Sequence, residues 1–235
     1  GSWLSFENPI QYNLSASDGV KTVYYRTRAD ILLESNTTTE TIILDTIPPD
    51  VVSIEVRDRS GDGSIRTNER DVTIEAFGVS AEAVQMMISE SPTFVAASWL
   101  SFANPAQFTL IAGDGPKTIY YKVRDAAENE SPVRSDGITL DATGPTGSLS
   151  INGGAVATSE TSVILTISAT DEWAPIKMKL SNDAGFTGAI WEDISTSRAW
   201  TLASGQGIKT VYIKFIDGGS NESPALQDNI IYDTS

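Results

Sequence analysis

The sequence predicts an all-β protein: tandem antiparallel β-sandwich repeats following one another in an elongated chain. Three observations predict it. The chain repeats itself, since Ser2-Trp3-Leu4-Ser5-Phe6 returns as Ser98-Trp99-Leu100-Ser101-Phe102. Likewise Asp18-Gly19-Val20-Lys21-Thr22-Val23-Tyr24-Tyr25 returns as Asp114-Gly115-Pro116-Lys117-Thr118-Ile119-Tyr120-Tyr121, and more loosely as Gln206-Gly207-Ile208-Lys209-Thr210-Val211-Tyr212-Ile213. Apolar residues alternate over short runs, as in Val23/Tyr25, Ile119/Tyr121/Val123, Val211/Ile213/Phe215, Val72/Ile74 and Val163/Leu165/Ile167. Period two over such runs marks half-buried strands, and the Gly, Asn, Asp and Ser clusters between them mark turns. No long stretch carries the period of a helix.

The offsets define the units. Trp99 minus Trp3 and Asp141 minus Asp45 both give 96, while Trp191 minus Trp99 and Asp233 minus Asp141 both give 92. Each unit closes on an apolar strand ending in Asp: Ile42-Ile43-Leu44-Asp45, Ile138-Thr139-Leu140-Asp141 and Ile230-Ile231-Tyr232-Asp233. Thr46-Ile47-Pro48-Pro49 and Ala142-Thr143-Gly144-Pro145 follow the first two. Proline has no N–H to give a central strand, so these are joints, and their shortness predicts little movement. The chain therefore divides into the C-terminal half of a repeat (2–47), a full repeat (48–143) and a second full repeat (144–235). About seven strands fit a unit of this size in a sandwich. Half a sandwich exposes a core face and unpaired edges. The half-unit is expected to pair with a copy in another chain or with the next repeat. Gly1-Ser2 reads as a cloning remnant, so the chain is expected to be an excised piece of a longer protein.

The last unit carries Trp200-Thr201-Leu202, Gly205-Gln206-Gly207, Lys209-Thr210-Val211-Tyr212, Asp217, Asn221-Glu222-Ser223 and Asp233-Thr234. The middle unit matches through Phe108-Thr109-Leu110, Gly113-Asp114-Gly115, Asp125 and Asn129-Glu130-Ser131. This pattern resembles the tandem immunoglobulin-like or fibronectin-type-III-like repeats of bacterial exported and surface proteins, over nearly the whole chain. The resemblance implies immunoglobulin-like sandwiches in an extracellular or cell-surface setting. It says little about function, because such repeats serve many roles. Ala29 stands at the place of Asp125 and Asp217, so the half-unit does not share whatever role that aspartate has.

Asp58-Arg59-Ser60-Gly61-Asp62-Gly63-Ser64-Ile65-Arg66-Thr67-Asn68-Glu69 fits the EF-hand calcium loop. Asp58, Ser60 and Asp62 fall at positions 1, 3 and 5, and Gly63 at the sharp turn. Ser64 offers a backbone carbonyl, and Glu69 at position 12 offers two oxygens at once. Hard oxygens at alternating positions suit Ca²⁺, and Mg²⁺ less, because it demands a tighter octahedron. Ile54 and Val56 before the loop and Val72 and Ile74 after it alternate as strands, which places it in a β-hairpin. Arg66 at position 9 and neutral Ser60 at position 3 predict weak binding, about 10⁻⁴–10⁻³ M, with a structural role.

Composition excludes much else. With no Cys and no His in 235 residues, there is no disulfide, zinc finger, thiol nucleophile or histidine base. The net charge of −15 argues against nucleic acid and anionic lipid, and no apolar run spans a bilayer. No carboxylate pair is marked for glycoside hydrolysis, and an enzyme is not expected. The expected function is a non-catalytic spacer of a larger bacterial surface or secreted protein, adhesin- or stalk-like and stabilised by calcium. The alternatives are a module binding a polysaccharide or a surface protein, and self-assembly through residues 2–47.

Weaker signals take plainer readings. Trp3, Trp99 and Trp191 recur, as do Tyr12, Phe108 and Trp200. They are expected to pack in cores rather than form a sugar-binding row. Tyr24, Tyr120 and Tyr212 are expected to form cross-strand ladders on the opposite face. Asp45 and Asp141 either cap a turn or hold calcium between units, and the turn is the expectation. The Gly-x-Gly-x-Lys-Thr runs lead into strands, not helices, and are not phosphate loops. Asn13, Asn36, Asn129 and Asn221 begin glycosylation sequons.

Overall fold

A computed structural model describes residues 2–30, 33–58 and 65–235. Every regular element among them is a strand. The half-unit contributes β1 (Gly19–Tyr25) and β2 (Thr38–Leu44), one antiparallel pair. Next come β3 (Ser53–Arg57), β4 (Arg66–Thr67), β5 (Asp71–Phe77), β6 (Gln85–Ser89), β7 (Leu100–Ser101), β8 (Ala106–Thr109), β9 (Gly115–Arg124) and β10 (Arg134–Leu140). Finally there are β11 (Thr146–Ile151), β12 (Ala157–Thr158), β13 (Ser162–Thr170), β14 (Lys177–Ser181), β15 (Glu192–Asp193), β16 (Ser197–Thr201), β17 (Gly207–Ile216) and β18 (Leu226–Tyr232).

The topology repeats. The middle sandwich pairs a β3-β5-β8 sheet with a β4-β10-β9-β6-β7 sheet, and the last pairs β11-β13-β16 with β12-β18-β17-β14-β15. The alternation read from the sequence is the cause. In β9 the buried residues Ile119, Tyr121 and Val123 face one core, and in β17 Val211, Ile213 and Phe215 face the other. One core is assembled from Val51 through Leu140, the other from Ile151 through Ile230. A carboxylate stitches the two sheets of each sandwich. Asp136 accepts the Val56 N–H at 2.8 Å, and Asp228 accepts the Ile151 N–H at 2.7 Å. Thus all-β tandem antiparallel sandwiches are what the chain forms.

The half-unit keeps its inward face open. Tyr25 and Ile42 are 54% and 55% exposed, whereas Tyr121 and Ile138, one repeat later, are 1% and 3%. The expectation that the next repeat covers this face is therefore corrected. The next sandwich already has both its sheets and its own closed core, so it offers the half-unit only a joint.

The tryptophan expectation is also corrected. Trp3, Trp99 and Trp191 lie outside both cores. Their rings lie under cations of the outer face: Arg26 and Arg28 over Trp3, Lys122 and Arg124 over Trp99, Lys179 over Trp191. Phe108 and Trp200 do pack against the cores, while Tyr12 is exposed.

Candidate metal centre at the second joint

The two joints share one device. At the end of β17, Asp217 accepts the Asn221 backbone N–H at 2.8 Å and the Asn221 side-chain amide at 2.8 Å. The same amide donates at 2.9 Å to the backbone carbonyl of Asp141, which ends the preceding sandwich. At the first joint Asp125 accepts from the Asn129 backbone and amide at 2.9 Å each, and that amide reaches the Asp45 carbonyl at 3.1 Å. The asparagine is a lock between neighbours, held by its own aspartate. Burial pushes the Asp125 carboxyl up, but the hydrogen bonds from Asn129, Ala127 and Glu128 outweigh it and hold that carboxyl below its ordinary value.

The rest of each Asn-Glu-Ser triplet serves its own sandwich. The Ser131 and Ser223 hydroxyls accept the N–H of Val123 (3.0 Å) and Phe215 (2.9 Å) and donate to the next proline carbonyl. Glu130 pairs with Lys122, and Glu222 with Lys214. Ser35 and Glu34 do the same work in the half-unit, with Thr27 and Arg26. Ala29 and Leu33 replace the lock there.

Asp45 and Asp141 do cap turns, accepting the N–H of Ile47 at 3.1 Å and of Thr143 at 3.3 Å. Asp141 does more. One carboxylate oxygen each from Asp141, Asp171 and Asp217 lie within 4.8 Å of one another. Asp141 is 6% exposed, and its Oδ2 is sealed from solvent with no hydrogen-bond partner. Asp171, in the turn after β13, accepts the Trp173 N–H at 2.6 Å. At 4.8 Å two carboxylates repel by about 3–4 kcal/mol at an effective dielectric of about 20. Burial pushes the Asp141 carboxyl above its ordinary value. The Thr143 N–H opposes this, and Asp171, Asp217 and Asp114 reinforce it.

Gly144 shows how closely the joint approaches. A Cβ there would sit 2.6 Å from the backbone carbon and oxygen of Glu222. Pro48 occupies the corresponding place in the first joint.

Of the proposed loop ligands, Ser60, Asp62 and Ser64 lie outside the described residues. Asp58 follows β3 and is half-buried; Glu69 is exposed beyond β4. Strands β3 and β5 pair antiparallel, but the segment between them is not a simple hairpin turn. Within it the chain crosses to the opposite sheet, where β4 runs parallel to β10. The Thr67 hydroxyl accepts the Glu69 N–H at 3.0 Å and donates to its carbonyl. Thr158 and Glu160 repeat this turn in the last sandwich, which has no such loop. Asp58, Arg66 and Thr67 face Trp173, Pro175 and Gly219 across a cleft of about 360 Å³ at the second joint, and Arg66 stacks 4.6 Å from the Trp173 ring centre.

Asp171, Asp217, Asn129 and Asn221 were not singled out as site residues. The recurring Asp-x₃-Asn-Glu-Ser at Asp125 and Asp217 was the available signal. Asp171 had none, because Ser80 stands at its register position in the middle sandwich.

No family model and no curated protein matches the sequence. Among solved structures, the chain is similar to fibronectin(III)-like modules of Clostridium thermocellum CbhA, at 17% identity over 76% of this chain and 94% of that one, TM-score 0.38. It is similar to the FN1–FN3 domains of chicken CNTN1, at 10% identity over 91% and 75%, TM-score 0.41. It is also similar to a tetra-tandem repeat from the extending region of a large adhesion protein, at 16% identity over 92% and 57%, TM-score 0.28. Among the described residues no helix is long and apolar enough to cross a membrane.

Proposed function

We propose that the chain is a non-catalytic spacer of a larger bacterial cell-surface or secreted protein, adhesin- or stalk-like, whose sandwiches hold other parts at a distance. The observation that carries this reading is the repeated lock, Asn129 on Asp45 and Asn221 on Asp141. It sets successive units head to tail by one rule, as a spacer requires and a single-cleft enzyme does not. Calcium on Asp58, Ser60, Asp62, the Ser64 carbonyl and Glu69 belongs to this reading. In the EF-hand pattern Asp58, Asp62 and Glu69 share one cation, which offsets the repulsion of bringing three carboxylates together.

The test is thermal unfolding in calcium and in chelator, for the wild type and Asp62→Ala. Calcium at ten times the dissociation constant stabilises by about 1.4 kcal/mol. The melting temperature of the wild type is expected to rise, and that of Asp62→Ala to rise less. Equal rises in both remove calcium from the loop.

A second reading, self-association through residues 2–47, is favoured by the open face that carries Tyr25 and Ile42.

A further inference from the structure

We propose that Asp141, Asp171 and Asp217 together hold one calcium ion that ties the middle sandwich to the last. The site deepens the reading of the chain as a cation-stiffened spacer, on which it rests, and it uses none of the hairpin-loop ligands.

Asp171 and Asp217 both belong to the last sandwich, and the joint brings Asp141 of the middle sandwich to them. Asp141 follows β10, Asp171 follows β13, and Asp217 follows β17. Their oxygens lie within 4.8 Å of one another. Calcium binds oxygen at about 2.3–2.6 Å, so oxygens on opposite sides of one ion stand up to about 5 Å apart. The whole set fits on a single calcium ion. Magnesium binds at about 2.0–2.1 Å, spans less, and keeps its waters, so it suits three protein carboxylates poorly. Nitrogen and sulfur donors, which zinc prefers, are absent from the set.

The independent observation is Asp141 itself. Its Oδ2 is buried and has no donor facing it. Buried carboxylate oxygens are ordinarily hydrogen-bonded, and here the neighbours are two further carboxylates. A cation supplies the missing partner. The turns leave room for it. Asp171 gives one oxygen to the Trp173 N–H, and the Asp217 oxygens that take Asn221 each retain a second lone pair. Water or a bidentate carboxylate completes the shell.

The first joint is built differently. Asp45 and Asp125 match Asp141 and Asp217, but Ser80 replaces Asp171, and no third carboxylate joins them among the described residues. One joint is therefore locked by asparagine alone, the other by asparagine and an ion.

The experiment uses the whole chain. Bound calcium is counted by equilibrium dialysis, and terbium luminescence is excited through tryptophan, since Trp173 is two residues from Asp171 and its backbone N–H is bonded to that carboxylate. The variants are Asp171→Asn, Asp141→Asn and, for the loop, Asp62→Ala. Asparagine at 171 keeps the oxygen that accepts the Trp173 N–H, so the turn survives. Asp171→Asn and Asp141→Asn are each expected to bind one calcium fewer than the wild type and to lose the tryptophan-excited terbium signal. Asp62→Ala is expected to keep that signal. Wild-type calcium stoichiometry and luminescence in both joint variants overturn the proposal. A calcium lost from Asp62→Ala alone overturns it while leaving the loop reading intact, and a calcium lost from the joint variants alone does the reverse.

Discussion

Asn221→Ala tests the lock directly. The side chain makes two hydrogen bonds through one amide, 2.8 Å to the Asp217 carboxylate and 2.9 Å to the Asp141 carbonyl. The first is charge-assisted and is worth about 1.5–3 kcal/mol; the second joins neutral groups and is worth about 0.5–1.5 kcal/mol. Asp217 is only 6% exposed, so water replaces the lost donor poorly. The last sandwich should lose about 3 kcal/mol, or roughly 12–24 °C of melting temperature for a domain of this size. Three of the five tryptophans, Trp173, Trp191 and Trp200, lie in that sandwich, so intrinsic fluorescence during urea unfolding reports chiefly on it. Working in chelator removes any contribution from bound ions. A loss below about 0.5 kcal/mol would place the Asn221 amide in the same class as an exposed surface group and refute the lock.

Two further outcomes follow from the same geometry. The Asp125 carboxyl is held below its ordinary value in the folded chain, so its contribution is present above about pH 4 and is lost as pH falls through the folded value. Acid titration of stability should be shallower in Asp125→Asn than in the wild type, and coincident curves would contradict this. Sedimentation at rising concentration should show association of the wild type through the open half-unit, weakened by Tyr25→Ser and Ile42→Ser together. A concentration-independent monomer at all loadings would end that reading.

The fold was legible because strand alternation and turn chemistry agree in every unit. The residues that alternate in β9 and β17 are the ones buried there. Recurrence was a poorer guide to location. Trp99 lies under Lys122 and Arg124 of β9 and Trp191 under Lys179 of β14, so what recurs is a cation-covered ring on an outer face and not one particular pair. The clue was Lys122 and Arg124, alternating with the buried residues of β9. The carboxylate cluster was only half legible. Asp141 stands at a recurring unit end, but Asp171 lies in a turn with no acidic counterpart, and only folding brings it to the joint. The asparagines read as sequons because a local triplet does not reveal that its first member reaches another unit.

The loop and the cluster meet at one place. Glu69 cannot by itself distinguish a calcium loop from the ordinary turn, because Glu160 makes the same turn where no loop exists. What sets the middle sandwich apart is its longer connection: 15 residues separate Val56 from Val72, against 11 between Ile151 and Val163. Of this connection, Asp58 and Arg66 line the cleft at the second joint, and Arg66 stacks on Trp173. The Trp173 N–H in turn fixes Asp171, a ligand of the proposed ion. Arg66 and Asp171 therefore both hold Trp173, one at its ring and the other at its backbone N–H. Among the described residues the first joint has neither the stacking arginine nor the third carboxylate, so stiffness in this chain should be concentrated between the two complete sandwiches.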